Sequence, residues 1–451
     1  MNTWLGKFAT ALILGATSHL AIATEILNPY SNALVEASVN TSQSAVGTTI
    51  GKICPGGLVS GGGSLLSEDL SARCTELVAP TSFSETPLTA DELRDVQAGL
   101  QGMAPEEDAV IASSTVDGSS VQVDAIGNRF AAIHAGGAGV VQTNNGYNWS
   151  TGAAGDGNSP WGFFINGLYV SSERDSTSRE SGFEADDWGV TGGIDYAFSD
   201  KFIFGLAFGY KNSEADIDAN GGELETDSTS YFAYWSFLPN EHWYVDAMAG
   251  YTENDHEQER NISYSIAAVG AAGTTTVSNT ALSDTDSDEI SVSVSAGYNY
   301  FLNNWVLSPY GRVEYADIEI DGFTESMAQT AAAGSGLALQ IDDQEFESLT
   351  LSGGVSASTQ WGQSYFPRVS VEYVHEFDND NQPINARFVN DTSRTTFSLL
   401  TDSPDRNYFN IGAAMTAVIS DTSTGFVRYQ GLFGYRDLDV HAFEVGVRLS
   451  F

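Results

Sequence analysis

Between Trp161 and Phe451 the chain is organised by a period of two. In Phe202-Ile203-Phe204-Gly205-Leu206-Ala207-Phe208-Gly209-Tyr210, positions 202, 204, 206, 208 and 210 are all large and apolar. In Ser291-Val292-Ser293-Val294-Ser295-Ala296-Gly297-Tyr298 the polar partners are explicit. The closing run, Phe443 to Phe451, is apolar at every odd position, with Glu444, Gly446, Arg448 and Ser450 between. Successive side chains of a strand point to opposite faces, so this pattern predicts strands with one greasy and one wet side. Twelve such segments begin near Trp161, Asp187, Phe202, Thr229, Trp243, Glu289, Val306, Ser348, Pro367, Tyr408, Gly425 and His441.

The connections between these segments are sorted by length. Short ones (199–201, 239–242, 302–304, 360–365 and 420–424) alternate with long ones (172–186, 212–228, 254–288, 321–347 and 378–407), and a brief final connection lies at 437–439. A membrane barrel has turns on its periplasmic rim and loops on its outer rim. A soluble sandwich, with water at both ends, has no reason to sort them. Trp161, Trp235, Trp243, Trp305 and Trp361 fall near the ends joined by short connections, where an aromatic girdle belongs. The fold class expected is therefore all-β: a 12-stranded antiparallel transmembrane β-barrel over 161–451, embedded in outer-membrane lipid.

The first residues fit that compartment. Lys7, the apolar stretch Phe8 to Ala16, and Ala21-Ile22-Ala23 read as a signal peptide over 1–23. Its apolar core is well short of the roughly 20 residues a spanning helix needs. The formal net charge of −41 excludes nucleic acid as a partner, since that requires clustered Lys and Arg. The acidic run Asp284 to Glu289 reads as a solvated loop and lacks the Gly and terminal Glu of a calcium loop, so no metal site is expected. No cofactor motif is present. Cys54 and Cys74 are expected to pair in an oxidising periplasm, adding about 3 kcal/mol to their segment.

Residues 24–115 form a polar, mixed segment with a Gly-rich run at 56–63. A helix is predicted from Thr89 to Met103: Thr89 and Glu92 fit a capping box, and Leu93, Val96, Leu100 and Met103 share a face. Gly99 and Gly102 weaken it. A second helix is predicted from Ser119 to His134, within a linker at 116–135. Val123, Ile126, Phe130 and Ile133 recur at helical spacing, with Asp124, Asn128 and Arg129 on other faces. Residues 136–160 read as a Gly/Asn-rich connector. Residues 24–115 hold no His and no Gly-x-Ser-x-Gly elbow, so no enzyme is expected. In the strands, Arg312, Glu314, Glu372, Arg428, Glu444 and Arg448 are assigned to the lumen, because charge on the lipid face costs about 2–4 kcal/mol at midplane. There they are expected to pair with one another or with Asp124 and Arg129.

A signal peptide, a helix just upstream of twelve strands, and a last strand ending in Phe together resemble the autotransporter family (type V secretion), over roughly 116–451. The resemblance implies that the helix lies in the barrel pore, carried by Val123, Asp124, Ile126, Asn128, Arg129, Phe130 and Ile133. It implies that Phe443, Val445, Val447, Leu449 and Phe451 form the signal read by the barrel-assembly machinery, with periplasmic chaperones as earlier partners and a monomeric product. Some members cut themselves between consecutive asparagines in the pore helix; Asp124 and Ala125 stand there instead, so no self-cleavage is expected. The implied function is export and surface display of the chain's own short N-terminal segment. The alternative is an adhesin or porin-like barrel acting through acidic outer loops, with a vestigial passenger.

Overall fold

A computed structural model describes residues 28–450, apart from stretches at 58–65, 83–86, 106–109, 112–125, 132, 135–139, 144–145, 150–159, 219–221, 269–272, 379–382 and 421. The expected signal peptide, Val123, Asp124, Ala125 and Phe451 lie outside the described residues. Twelve antiparallel strands form a closed barrel. They are β1 (Trp161–Arg174), β2 (Phe183–Ser199), β3 (Phe202–Ile217), β4 (Gly222–Phe237), β5 (Trp243–Ala267), β6 (Thr274–Tyr298), β7 (Trp305–Ile320), β8 (Gln344–Thr359), β9 (Tyr365–Glu376), β10 (Asn407–Ser420), β11 (Ser423–Phe433) and β12 (Leu438–Ser450). Pairing of β12 with β1, from Leu438↔Arg174 to Ser450↔Gly162, closes the ring and leaves no edge.

The period of two sets the two faces. On β1, Trp161, Phe163, Ile165 and Tyr169 point outward, while Phe164, Asn166 and Val170 are buried. On β12, Phe443, Val445, Val447 and Leu449 are exposed on the lipid side, while Glu444 and Arg448 are buried. Trp161, Trp243, Trp305 and Trp361 are exposed near the short turns, and half-buried Trp235 stacks on Phe202.

Two connections expected as loops are strand instead. β5 and β6 run for 25 residues each, well beyond the roughly 9–11 needed to cross a bilayer. They pair out to Ala267↔Thr274, and β3 pairs with β4 out to Ile217↔Gly222. The cause lies on the outward face. After Tyr251 it carries Glu253, Asp255, Glu257 and Glu259, while Asn254, His256, Gln258 and Arg260 are buried inside. Above the lipid the apolar half of the alternation is no longer needed, although backbone pairing continues. Asp284 to Glu289 therefore belongs to β6: Asp284, Asp286 and Asp288 face water, and Ser287 and Glu289 face inward.

Four helices precede the barrel: α1 (Pro29–Ala37), α2 (Thr41–Gly57), α3 (Glu68–Ser82) and α4 (Ala90–Gln101). Thr89 caps α4 through a reciprocal bond with Glu92, and a Cys54–Cys74 disulfide ties α2 to α3. Leu34, Ile50, Leu70, Leu77 and Leu100 are fully buried, and their core continues without a break into Ile217, Tyr264, Val277, Ile318 and Leu339. Those five lie on the outer extensions and on a small sheet built from the long loops (Phe323–Thr324, Leu339–Ile341, Pro383–Phe388, Thr396–Leu400). A segment too short to make a large core shares the barrel's. In the connector, Val140–Thr143 pairs with Gly146–Trp149.

Candidate functional site

The site is the blocked channel, filled at three levels. At the outer level the helices sit in a cup formed by the strand extensions. Arg260 of β5 is buried, and its guanidinium grips Glu325 through Nε–Oε1 at 2.7 Å and a second bond at 2.6 Å to Oε2. The same guanidinium donates to the carbonyls of Gly102 and Leu337 at 2.9 and 3.2 Å. One side chain thus joins the end of α4 to the barrel wall and a loop. Gly99 and Gly102 lie against the ring of Tyr264, so the two residues that weaken α4 are also its contact points. On another side Asp69 accepts from the backbone N–H groups of Gly334 and Gly336 at 3.1 and 2.8 Å. Ser178 O accepts from Thr41 N at 3.0 Å. Below the helices, His256 is buried between Thr226 Oγ1 and Ser287 Oγ, each 2.9 Å from a ring nitrogen. Burial, reinforced by the nearby Lys211 ammonium, pushes its imidazole down to about 4.

At the middle level a helical turn occupies the lumen (126–131 and 133–134). Ile126, Phe130 and Ile133 pack on an apolar patch that includes Phe164, Phe232, Tyr234 and Met248. Arg129 meets Asp195 with both Nε and Nη2 at 2.6 Å, and Tyr234 Oη donates to the same carboxylate at 3.0 Å. Asn128 donates to Glu444, and Arg448 donates to Asn128 O at 3.2 Å while lying 4.3 Å over the ring of Phe426. His134 stacks on Tyr244 and contacts Asp246 at 3.0 Å. The remaining lumen charges named from the sequence lie on the other wall: Arg312 pairs with Glu372 at 2.7 Å and Glu314 at 3.6 Å, and Arg428 lies 3.8 Å from Glu444.

Asp195, Tyr234 and Asp246 escaped the sequence reading. For the two aspartates the signal is a carboxylate at the inward position between apolar neighbours, as in Ile194-Asp195-Tyr196 and Val245-Asp246-Ala247. Six lumen aromatics follow a second rule: each lies over a glycine directly across from it. The pairs are Phe164–Gly193, Tyr234–Gly205, Phe232–Gly250, Tyr244–Gly297, Tyr310–Gly354 and Phe426–Gly446. At Gly205 a Cβ would fall 2.2 Å from the Tyr234 ring, so only glycine lets the ring lie flat on the wall.

At the inner level a cavity of 440 Å³ remains between the pore helix and the inner wall formed by β5 to β12. It reaches the short-turn rim at Asn304, Gln360 and Gly362.

A closed barrel with acidic outer extensions, a lumen helix and upstream helices seated at the long-loop end defines an outer-membrane translocator. The family model for the autotransporter β-domain matches residues 163–430, and the chain belongs to the autotransporter family. The translocator domain of autotransporter NalP from Neisseria meningitidis has the same fold, with a TM-score of 0.52 and 15% identity over 74% of this chain and 98% of that one. Esterase EstA of Pseudomonas aeruginosa is 24% identical over 231 residues, half of this chain and 33% of its own length. Outer membrane protein A of Rickettsia conorii is 24% identical over 54% of this chain and 12% of its own length. The chain thus spans a third or less of the curated relatives it matches. The protein is an outer-membrane barrel of a family whose barrels serve mainly as translocators and are assembled by the outer-membrane machinery.

Proposed function

We propose that this barrel exports its own N-terminal segment and then retains it, as a helical plug lodged in the outer cup. The carrying observation is the shared core: Leu70, Leu77 and Leu100 of the helices are buried together with Tyr264, Val277 and Leu339 of the barrel's outer end. A cargo released to the surroundings has no use for such a core. The segment holds no histidine, so a Ser–His hydrolase has no base in it, and we read it as non-enzymatic. The last strand, Phe443 to Phe451, is the proposed address for the assembly machinery, with chaperones keeping the chain unfolded beforehand.

Cysteine labelling on intact cells tests export. Val39 is 68% exposed and Leu70 is fully buried. A membrane-impermeant maleimide is expected to label Val39→Cys on intact cells and to leave Leu70→Cys unlabelled until the protein is denatured. Labelling of Val39→Cys only after the outer membrane is permeabilised would show that the segment never crosses. Labelling of both on intact cells would show that it crosses but is not lodged.

The alternative reading, action through the outer surface, is favoured by the exposed carboxylates of β5 and β6, which a lodged plug leaves as the chain's main face to the medium.

A further inference from the structure

We propose that the cavity beside the pore helix is a binding site for a small organic anion, a carboxylate carried on an apolar body, with Arg368 as its anchor. The chain as a whole has 18 basic and 59 acidic residues. The cavity wall reverses this balance, with Arg312, Arg368, Arg428 and Arg448 against Asp246 and Glu372.

Most of these charges are already engaged. Arg312 holds Glu372, Arg428 lies near Glu444, Arg448 binds the pore helix, and Asp246 holds His134. Arg368 is the exception: among the described residues no carboxylate lies within 4.0 Å of its guanidinium, and no side chain or carbonyl accepts from it. The phenols of Tyr244 and Tyr310 lie within its electrostatic reach, and neither supplies a full negative charge. A guanidinium offers five donors in a planar fork that matches a carboxylate edge. The same lining, otherwise rich in Ser, Thr and Asn, includes two half-buried apolar side chains, Val306 and Phe366. A volume of 440 Å³ is within the range of small-molecule pockets, about 300–1,000 Å³. A bare inorganic ion would satisfy the fork and leave Val306 and Phe366 facing water, whereas an amphiphilic anion satisfies both. The opening toward Gln360 and Gly362 places its entrance on the short-turn, periplasmic rim.

Calorimetric titration of the full chain in a nonionic detergent tests this with three probes. Benzoate carries both features, inorganic phosphate only charge, and benzyl alcohol only the ring. Saturable benzoate binding is expected, at least tenfold tighter than either other probe and at least tenfold weaker in Arg368→Gln. Equal affinity of benzoate for Arg368→Gln overturns the anchor. Equal binding of benzyl alcohol overturns the anion, and equal binding of phosphate overturns the apolar body. Absence of saturable benzoate binding overturns the site. Heat-modifiable migration on gels reports whether Arg368→Gln closes its barrel; if it does not, the three probes on the unaltered chain decide alone.

Discussion

Replacing Arg260 with alanine would leave Glu325 as a buried carboxylate without its guanidinium, since its side chain is only 3% exposed. Breaking a buried pair from one side costs about 3–5 kcal/mol, most of it the stranded charge. The loss falls on the docking of α4, because the carbonyl of Gly102 loses its donor too. Limited proteolysis of folded protein is expected to cut α1–α4 in Arg260→Ala far faster than in the unaltered chain, with the barrel intact. Equal rates would mean that the helices dock without this contact. His256 behaves differently, because it gains nothing from charge. Its folded value of about 4 lies below the unfolded 6.5, so the folded state resists the proton that the unfolded chain accepts. Its contribution is fully present above pH 6.5 and is lost as pH falls from there toward 4, by at most about 3 kcal/mol. The thermal midpoint of the unaltered chain should fall relative to His256→Gln between pH 7.5 and 4.5. A constant gap between the two proteins would refute this. Neither residue was singled out in the sequence: both sit at inward positions of a stretch whose outward positions are acidic, and without an apolar row nothing marks it as strand.

The strand extensions carry a cost that their pairing shows. Asp186, Glu214, Glu225, Glu257 and Asp284 lie directly across from one another on five consecutive strands. Glu253, Asp288, Glu319 and Glu345 form a second such row. Like charges in facing positions destabilise a sheet, each pair by up to about 1 kcal/mol. At the lipid boundary tyrosines relieve part of it: Tyr169, Tyr210 and Tyr251 donate to Asp186, Asp227 and Asp288 at 2.7, 2.6 and 2.7 Å. Salt screens the repulsion that remains along the rows, and the screening length shrinks from ~30 Å at 0.01 M to ~10 Å at 0.1 M. Proteolysis within β5 and β6 should therefore slow as sodium chloride is raised over that range, and Asp255→Asn with Glu257→Gln should mimic the effect at low salt. Salt-independent cleavage would show that the rows do not repel. Repulsion along the outer wall also discourages the extensions from pairing with those of a neighbouring barrel.

At the scale of the molecule, the barrel was legible because lipid imposes a simple rule on every strand. Ten consecutive alternating residues need no partner to be interpreted, and the short turns marked the periplasmic ends closely: β1, β3, β5 and β7 begin at Trp161, Phe202, Trp243 and Trp305, within a residue of the positions read from the pattern. The strands entering from outside begin earlier than predicted, most of all β6, at Thr274 rather than near Glu289. The seating of the N-terminal segment was not legible at all. Its apolar residues look too few because barrel residues more than a hundred positions away complete their core, as when Leu77 meets the Gly99–Tyr264 contact. A pattern read along one segment cannot count atoms supplied by another.

Arg260 draws four acceptors from three separate parts of the chain, and one of them arrives only with α4. Until Gly102 is in place, the cup holds an incompletely satisfied cation and an uncovered Tyr264 beside it. Once the helices settle, sliding back toward the periplasm has to reopen both. On the proposed export route, what waits at the far end would make passage one-way, and docking itself would act as the ratchet.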